Sequence, residues 1–333
     1  MRRYGLLVGT ILLAFGVSPF SSWAANNLIS GGQTSPATWE IRNATGGLVS
    51  SGALSANRAA HCGVKLSTGN IMLAGGVLSA TTWEIRNTAG ALVSTGTLNA
   101  TRSGSHTCTL LTTGNVLIVG GIASPGTYEI RTSAGALVSS GSLWASRASH
   151  STTLLTSGNV LIVGGSASGG TWEIRNSTGG LVSTGSLWAL RNGHCDVLLP
   201  NGNVFLGGGT NANTTWEIRN GSGALVSNGS LSTTRTDSFT CNLFATGNTM
   251  IVGGQPFFTS WEIRNSSGGA VSTGTLTINR YDHKADVQTT GNLFITGGAG
   301  SPTTWEIRSN TGALLGTGTL NANRSGGHAQ TQY

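Results

Sequence analysis

Trp172-Glu173-Ile174-Arg175 is one of seven copies of a single tetrapeptide, whose first residues are Trp39, Trp83, Tyr128, Trp172, Trp216, Trp261 and Trp305. Tyr128 is the one variant, and successive copies lie 44 or 45 residues apart. A fixed period of this length marks one supersecondary unit copied in tandem, each copy too small to bury its own apolar face. Within the tetrapeptide, Trp172 and Ile174 point one way and Glu173 and Arg175 the other, which is the alternation of a strand.

Outward from the motif, one unit runs from Arg102 to Leu143. It holds four strand candidates separated by Gly, Ser, Thr and Asn turns. The second, Val116-Leu-Ile-Val119, is a continuous apolar run, as expected of a strand covered on both faces. Four strands per unit, repeated radially, predict an all-β, seven-bladed β-propeller. Residues 27–56 supply only the second, third and fourth strands of a blade, and Arg324–Tyr333 supply a first strand and stop. Pairing His328–Tyr333 with Leu28–Gly32 is therefore expected to close the ring from both termini, leaving no open sheet edge.

Three further marks accompany the tetrapeptide. Arg-x-x-His leads the first strand, the apolar second strand ends in Gly-Gly (Gly31-Gly32 through Gly297-Gly298), and a Glu lies in the third. In these features residues 27–333 resemble the kelch family, particularly its bacterial secreted members. The resemblance implies a kelch-type propeller. Two departures stand out: the family's aromatic two positions after the Glu is Arg here, and the usual fourth-strand Trp is Leu or Val. The Trp before the Glu is expected to take over that aromatic packing.

Arg2-Arg3, an apolar stretch from Gly5 to about Val17, and Ser22-Trp23-Ala24 read as a secretory signal peptide cut near Ala24. That leaves residues 25–333 as a single domain, secreted or periplasmic. The apolar stretch is shorter than the roughly 20 residues a membrane span needs. The formal charge of +7 falls to +5 without Arg2 and Arg3. Most of the remainder is seven Glu and fourteen Arg at equivalent positions, so Glu–Arg pairing is expected rather than a nucleic-acid surface.

Six histidines (His61, His106, His150, His194, His283, His328) occupy one repeat position, with Phe239 in the seventh. A ring of imidazoles could hold a metal. A residue copied into every blade is, however, expected to pack or hydrogen-bond within its own blade, so neither metal nor cofactor is expected. An oxidase of the galactose-oxidase kind, the alternative reading, needs a Tyr–Cys cofactor, a second Tyr and two His on axial loops. Residues 25–333 have three Tyr and loops of about six residues, such as Ile122–Thr127. A non-catalytic, monomeric binding module is the expectation, with a protein or glycan as partner. Its candidate contacts are the non-repeated residues of one rim: Trp144, Trp188, Phe257, Phe258, Tyr281 and Asp282. Aromatics flanked by Asn, Ser and Thr suit sugar stacking or a protein hot spot, although Trp144 and Trp188 could instead pack between blades. The irregular strand Tyr281–Asp286 could bring polar groups to the axis.

The cysteines carry one more expectation. Cys62 and Cys195 lie eight residues before the Asn of their repeats, Asn70 and Asn203. Cys108 and Cys241 lie seven before Asn115 and Asn248. The offset of one places the side chains on opposite strand faces, so neighbouring blades present them to each other. Disulfides Cys62–Cys108 and Cys195–Cys241 follow, each closing a loop worth on the order of 4 kcal/mol in the chain-entropy account. Intact mass should show no alkylation of the native protein until reductant is added; four reactive thiols beforehand would refute both bridges.

Overall fold

The structure, a computed structural model, describes residues 26–333; the expected leader, residues 1–24, lies outside them. Seven four-stranded antiparallel sheets form the ring. Six are built from consecutive strands, as in Cys62–Lys65, Ile71–Ala74, Thr82–Arg86 and Leu92–Thr97. The seventh is composite: Ala329–Gln332 pairs with Asn27–Ser30, which is followed by Thr38–Arg42 and Leu48–Ala53. First strands of neighbouring blades pack against one another around the axis. Edges nonetheless remain, contrary to expectation. The fourth strand of each blade pairs only with the third and exposes apolar pairs such as Leu92-Val93 and Leu181-Val182.

The tetrapeptide is buried because each of its residues closes a blade junction. Trp39 lies between Gly52 of its own fourth strand and Gly90 of the next blade's turn. A Cβ at Gly90 would come within 2.2 Å of the indole, and Gly90 has φ +83°, a left-handed conformation that glycine adopts without strain. The same clamp holds Trp172 between Gly185 and Gly223. Arg86 of the following blade covers the Trp39 ring at 5.7 Å, and Arg175 covers Tyr128 at 4.9 Å, geometry that adds a cation–π attraction. The Trp thus does supply the aromatic packing, but between blades as well as within one. Ile41, Ile85 and their equivalents complete the apolar core between sheets.

Glu173 is fully buried and saturated with donors. It accepts from Arg175 Nε at 2.9 Å, from Arg147 Nε at 3.0 Å and from the main-chain N–H of Trp144 at 3.0 Å. Arg147 also donates to the Gly164 and Thr171 carbonyls at 2.7 and 3.0 Å. The expected Glu–Arg pairing is therefore present, and it ties the loop entering a blade to the middle of that blade. In two blades the arrangement changes, because Ser55 and Thr277 also donate their hydroxyls to Glu84 and Glu306.

The histidines reach across blades, where hydrogen bonding within one was expected. His61 Nε2 meets Ser30 Oγ at 2.9 Å, His150 meets Thr107 Oγ1 at 3.0 Å, and His194 meets Ser151 Oγ at 2.8 Å. Each ring sits on the first Gly of the preceding blade's Gly-Gly pair; at Gly120 a Cβ would lie 2.8 Å from His150 Cε1. Phe239 fills the same place against Gly208. The disulfides Cys62–Cys108 and Cys195–Cys241 join neighbouring first strands, with Cα separations of 5.8 and 5.6 Å. Such bonds belong to oxidising compartments. Among the described residues no helix is long and apolar enough to cross a membrane.

Two outcomes follow from these junctions. Glu173→Gln leaves two buried guanidinium groups without their carboxylate and should cost about 3–5 kcal/mol in chemical denaturation. The histidines set a pH dependence. Burial, then neighbouring arginines, pushes His150 and His194 down to about 3, and burial brings His106 to about 4. These rings stay neutral in the folded chain while the unfolded chain protonates below about 6.5. Their stabilisation is complete above that pH and is lost as pH falls toward 3, by up to about 1.4 kcal/mol per unit per ring. His150→Phe, which copies Phe239, should fold and show a shallower decline between pH 7 and 4 in urea titrations.

Candidate functional site

The loops joining second to third strands and those linking blades lie on one face. Main-chain bonds tie them together, for example Val77 N to Ala59 O at 2.7 Å and Leu143 N to Gly126 O at 2.8 Å. Trp144 and Trp188 occupy equivalent positions there. Each gives its main-chain N–H to the next blade's glutamate, Trp188 to Glu217 at 3.1 Å. In these two blades the backbone alone makes the contact, whereas Ser55, Asn99, Ser232, Thr277 and Asn321 at the same position also hydrogen-bond through their side chains. Both indoles stand half out in solvent, 51% and 50% exposed, so they do not pack between blades. Ile122 and Leu190 are exposed on the same loops.

The other rim residues divide. Phe257 is exposed. Phe258 turns inward against Tyr281, with ring centroids 4.9 Å apart, and both are half-buried. The Tyr281 main chain is further held by Ala299 N at 2.9 Å. Trp144, Trp188 and Phe257 are thus available to a partner, while Phe258 and Tyr281 brace the loop beneath them.

Asp282 belongs to a second feature, the mouth of the axis. The residue preceding each His or Phe239 is left-handed: Ala60, Ser105, Ser149, Gly193, Ser238, Asp282 and Gly327, with φ between 53° and 63°. Main-chain bonds pass from blade to blade around this mouth: Ala60 N to Gly327 O (2.6 Å), Ser149 N to Ser105 O (3.1 Å), Gly193 N to Ser149 O (2.9 Å). Asp282 is exposed and accepts from Ser238 Oγ at 2.6 Å. The sequence carried a faint signal of this ring in Gly193 and Gly327, the two copies in which glycine itself precedes the histidine.

Below the mouth is a cavity of about 380 Å³ lined by imidazoles, hydroxyls, Gln330 and two charged side chains, Lys284 and Asp196. Lys284 is open to solvent within the channel yet enclosed by protein. Burial lowers its pKa, with Asp282 and Asp286 opposing. Burial raises Asp196, against hydroxyls of Thr153 and Ser151, and raises Asp286 to about 6 despite Gln330 and Lys284. The expectation of polar groups at the axis on Tyr281–Asp286 holds for Lys284. Asp196 went unassigned because only the ring geometry brings its blade to the same cavity.

Each imidazole spends its Nε2 on the preceding blade. Cys62, His106 and Cys108 come close enough together to ligate an ion, but their two sulfurs are bonded to each other. Two equivalent grooves lie farther out, of about 340 and 470 Å³. One is lined by Trp83, Arg58, Thr82 and Thr97, the other by Trp305, Arg280, Thr304 and Thr319.

No protein-family model matches the chain, and no curated protein does. Solved structures share its fold. A protein of unknown function from Desulfotomaculum acetoxidans aligns with TM-score 0.69 and 12% identity over 92% of this chain and 99% of that one. Virginiamycin B lyase from Staphylococcus aureus, in an inactive H270A form with quinupristin, aligns at 0.60 and 11% over 80% and 87%. BamB from Moraxella catarrhalis aligns at 0.54 and 11% over 89% and 88%. At these identities the likeness is one of architecture: the chain is a closed seven-bladed β-propeller.

Proposed function

We propose that this protein is a secreted or periplasmic, non-catalytic propeller of kelch type that recognises a partner protein through its loop face. The half-exposed Trp144 and Trp188 carry the reading. They replace Ser, Asn or Thr of the other copies, giving up the side-chain hydrogen bonds those residues make for two exposed indoles. Two large aromatics on successive blades, with exposed Ile122, Leu190 and Phe257 on the same loop face, resemble a protein-binding hot spot more than a sugar platform flanked by polar groups. The ring is rigid and its loops are short, so binding would cost little ordering entropy. The histidines are committed to blade junctions, which favours recognition over catalysis.

A second reading, a glycan-binding propeller, is favoured by the two equivalent grooves that combine Trp, Arg and Thr. The two readings predict different losses. Affinity capture from the native secretome, with the isolated partner then titrated, should show binding that Trp144→Ala/Trp188→Ala weakens at least about tenfold. A glycan-array signal that survives this double change and is lost with Thr82→Val/Thr304→Val would replace the protein reading with the glycan one.

A further inference from the structure

Lys284 and Asp196 are the two charged side chains in the wall of the axial cavity, and both depart from the repeat. The Lys284 position holds Cys62, Thr107, Ser151, Cys195, Thr240 or Ala329 in the other blades, and the Asp196 position holds Gly63, Cys108, Thr152, Cys241, Ala285 or Gln330. They sit on blades separated by one intervening blade, 239–275. Among the described residues the Lys284 side chain makes no hydrogen bond and no ion-pair contact, although the charges of Asp282 and Asp286 act on it. Both acids spend their hydrogen bonds elsewhere, Asp282 accepting from Ser238 at 2.6 Å and Asp286 from Gln330. Asp196 accepts from the Thr153 hydroxyl and has no cationic partner among the described residues. Everything else that faces the pair from the packed strands is neutral: the imidazoles of His61, His106, His150 and His194, hydroxyls and Gln330.

We propose that the axial cavity binds a small zwitterion, with its carboxylate on Lys284 and its ammonium on Asp196. An enclosed charge with no hydrogen-bonded counter-ion is incompletely compensated, and each wall therefore favours a ligand group of opposite sign. The directions of the two pKa shifts, Lys284 down and Asp196 up, both with burial as the leading cause, agree with this. A lone anion would answer Lys284 and leave Asp196 uncompensated, and a lone cation would do the reverse. A molecule carrying both charges answers both. At about 380 Å³ the cavity falls within the ordinary range for small-molecule sites, roughly 300–1,000 Å³. The mouth that leads to it is lined by the small residues Ala60, Ser105 and Gly327, by Asp282 and Lys284, and by His61, His106 and His328. The inference is independent of the aromatic rim.

Isothermal titration calorimetry on the purified protein tests it, with glycine, γ-aminobutyrate and 6-aminohexanoate as probes of graded span and acetate and methylamine as single-charge controls. At least one zwitterion should bind about tenfold or more tightly than either control, as charge-assisted hydrogen bonds at both ends require. Lys284→Met and Asp196→Asn, each checked for native melting, should each weaken that binding by about tenfold or more. Absence of heat with all three zwitterions at millimolar concentration overturns the proposal. So does equal binding of acetate, or unchanged affinity in either folded variant.

Discussion

A carboxylate can be buried only if its charge is answered, and in this protein that requirement organises every blade. Each third-strand Glu takes an Arg from its own strand and a main-chain N–H from the loop entering the blade; in most blades the loop's Arg pairs with it as well. Strand, loop and neighbouring blade are fixed by one side chain. The entering Arg goes on to bind the carbonyl of the Gly-Gly pair, whose glycines admit the next imidazole. The clamp on each Trp and the stacking of Arg on its ring follow from the same register. A buried ion pair is weak support for stability taken singly, but here it sets geometry seven times over.

Most of the fold was legible because the repeat is so regular. The tetrapeptide spacing predicted seven blades, and the unequal ends predicted the composite one. The offset of one residue between paired cysteines predicted both disulfides. What the sequence did not convey was direction across a junction. A residue's periodicity says that it is repeated, not whether its partner lies in the same blade or the previous one, so the reach of His61 to Ser30 was hidden. The β-bulge between Ile and Arg of each tetrapeptide, as at Ile174/Arg175, leaves no mark in composition either.

The candidate site was legible in part, and for an opposite reason. Departures from the repeat are conspicuous against seven copies, which is why Trp144, Trp188 and the strand at Tyr281 could be singled out. Their consequences depended on three-dimensional facts. Phe258 and Tyr281 turned out to brace each other. Asp196 and Lys284 lie 88 positions apart in the chain and share a cavity only because the ring brings their strands to one axis.

Closure of the ring bears on the order in which the chain can fold. Asn27 pairs with Gln332, so the first blade is completed by a strand made only after the other six blades. Joining ends about 300 residues apart costs roughly 2–3 kcal/mol more in loop entropy than joining a pair about 20 apart, and that cost falls due only after six blades can already stack. Until then Leu28 and Ile29, buried in the finished ring, lack their inner neighbour. A chain held open at this seam stays threadable until Ala329–Gln332 docks, so the ring can be assembled or opened at one junction alone.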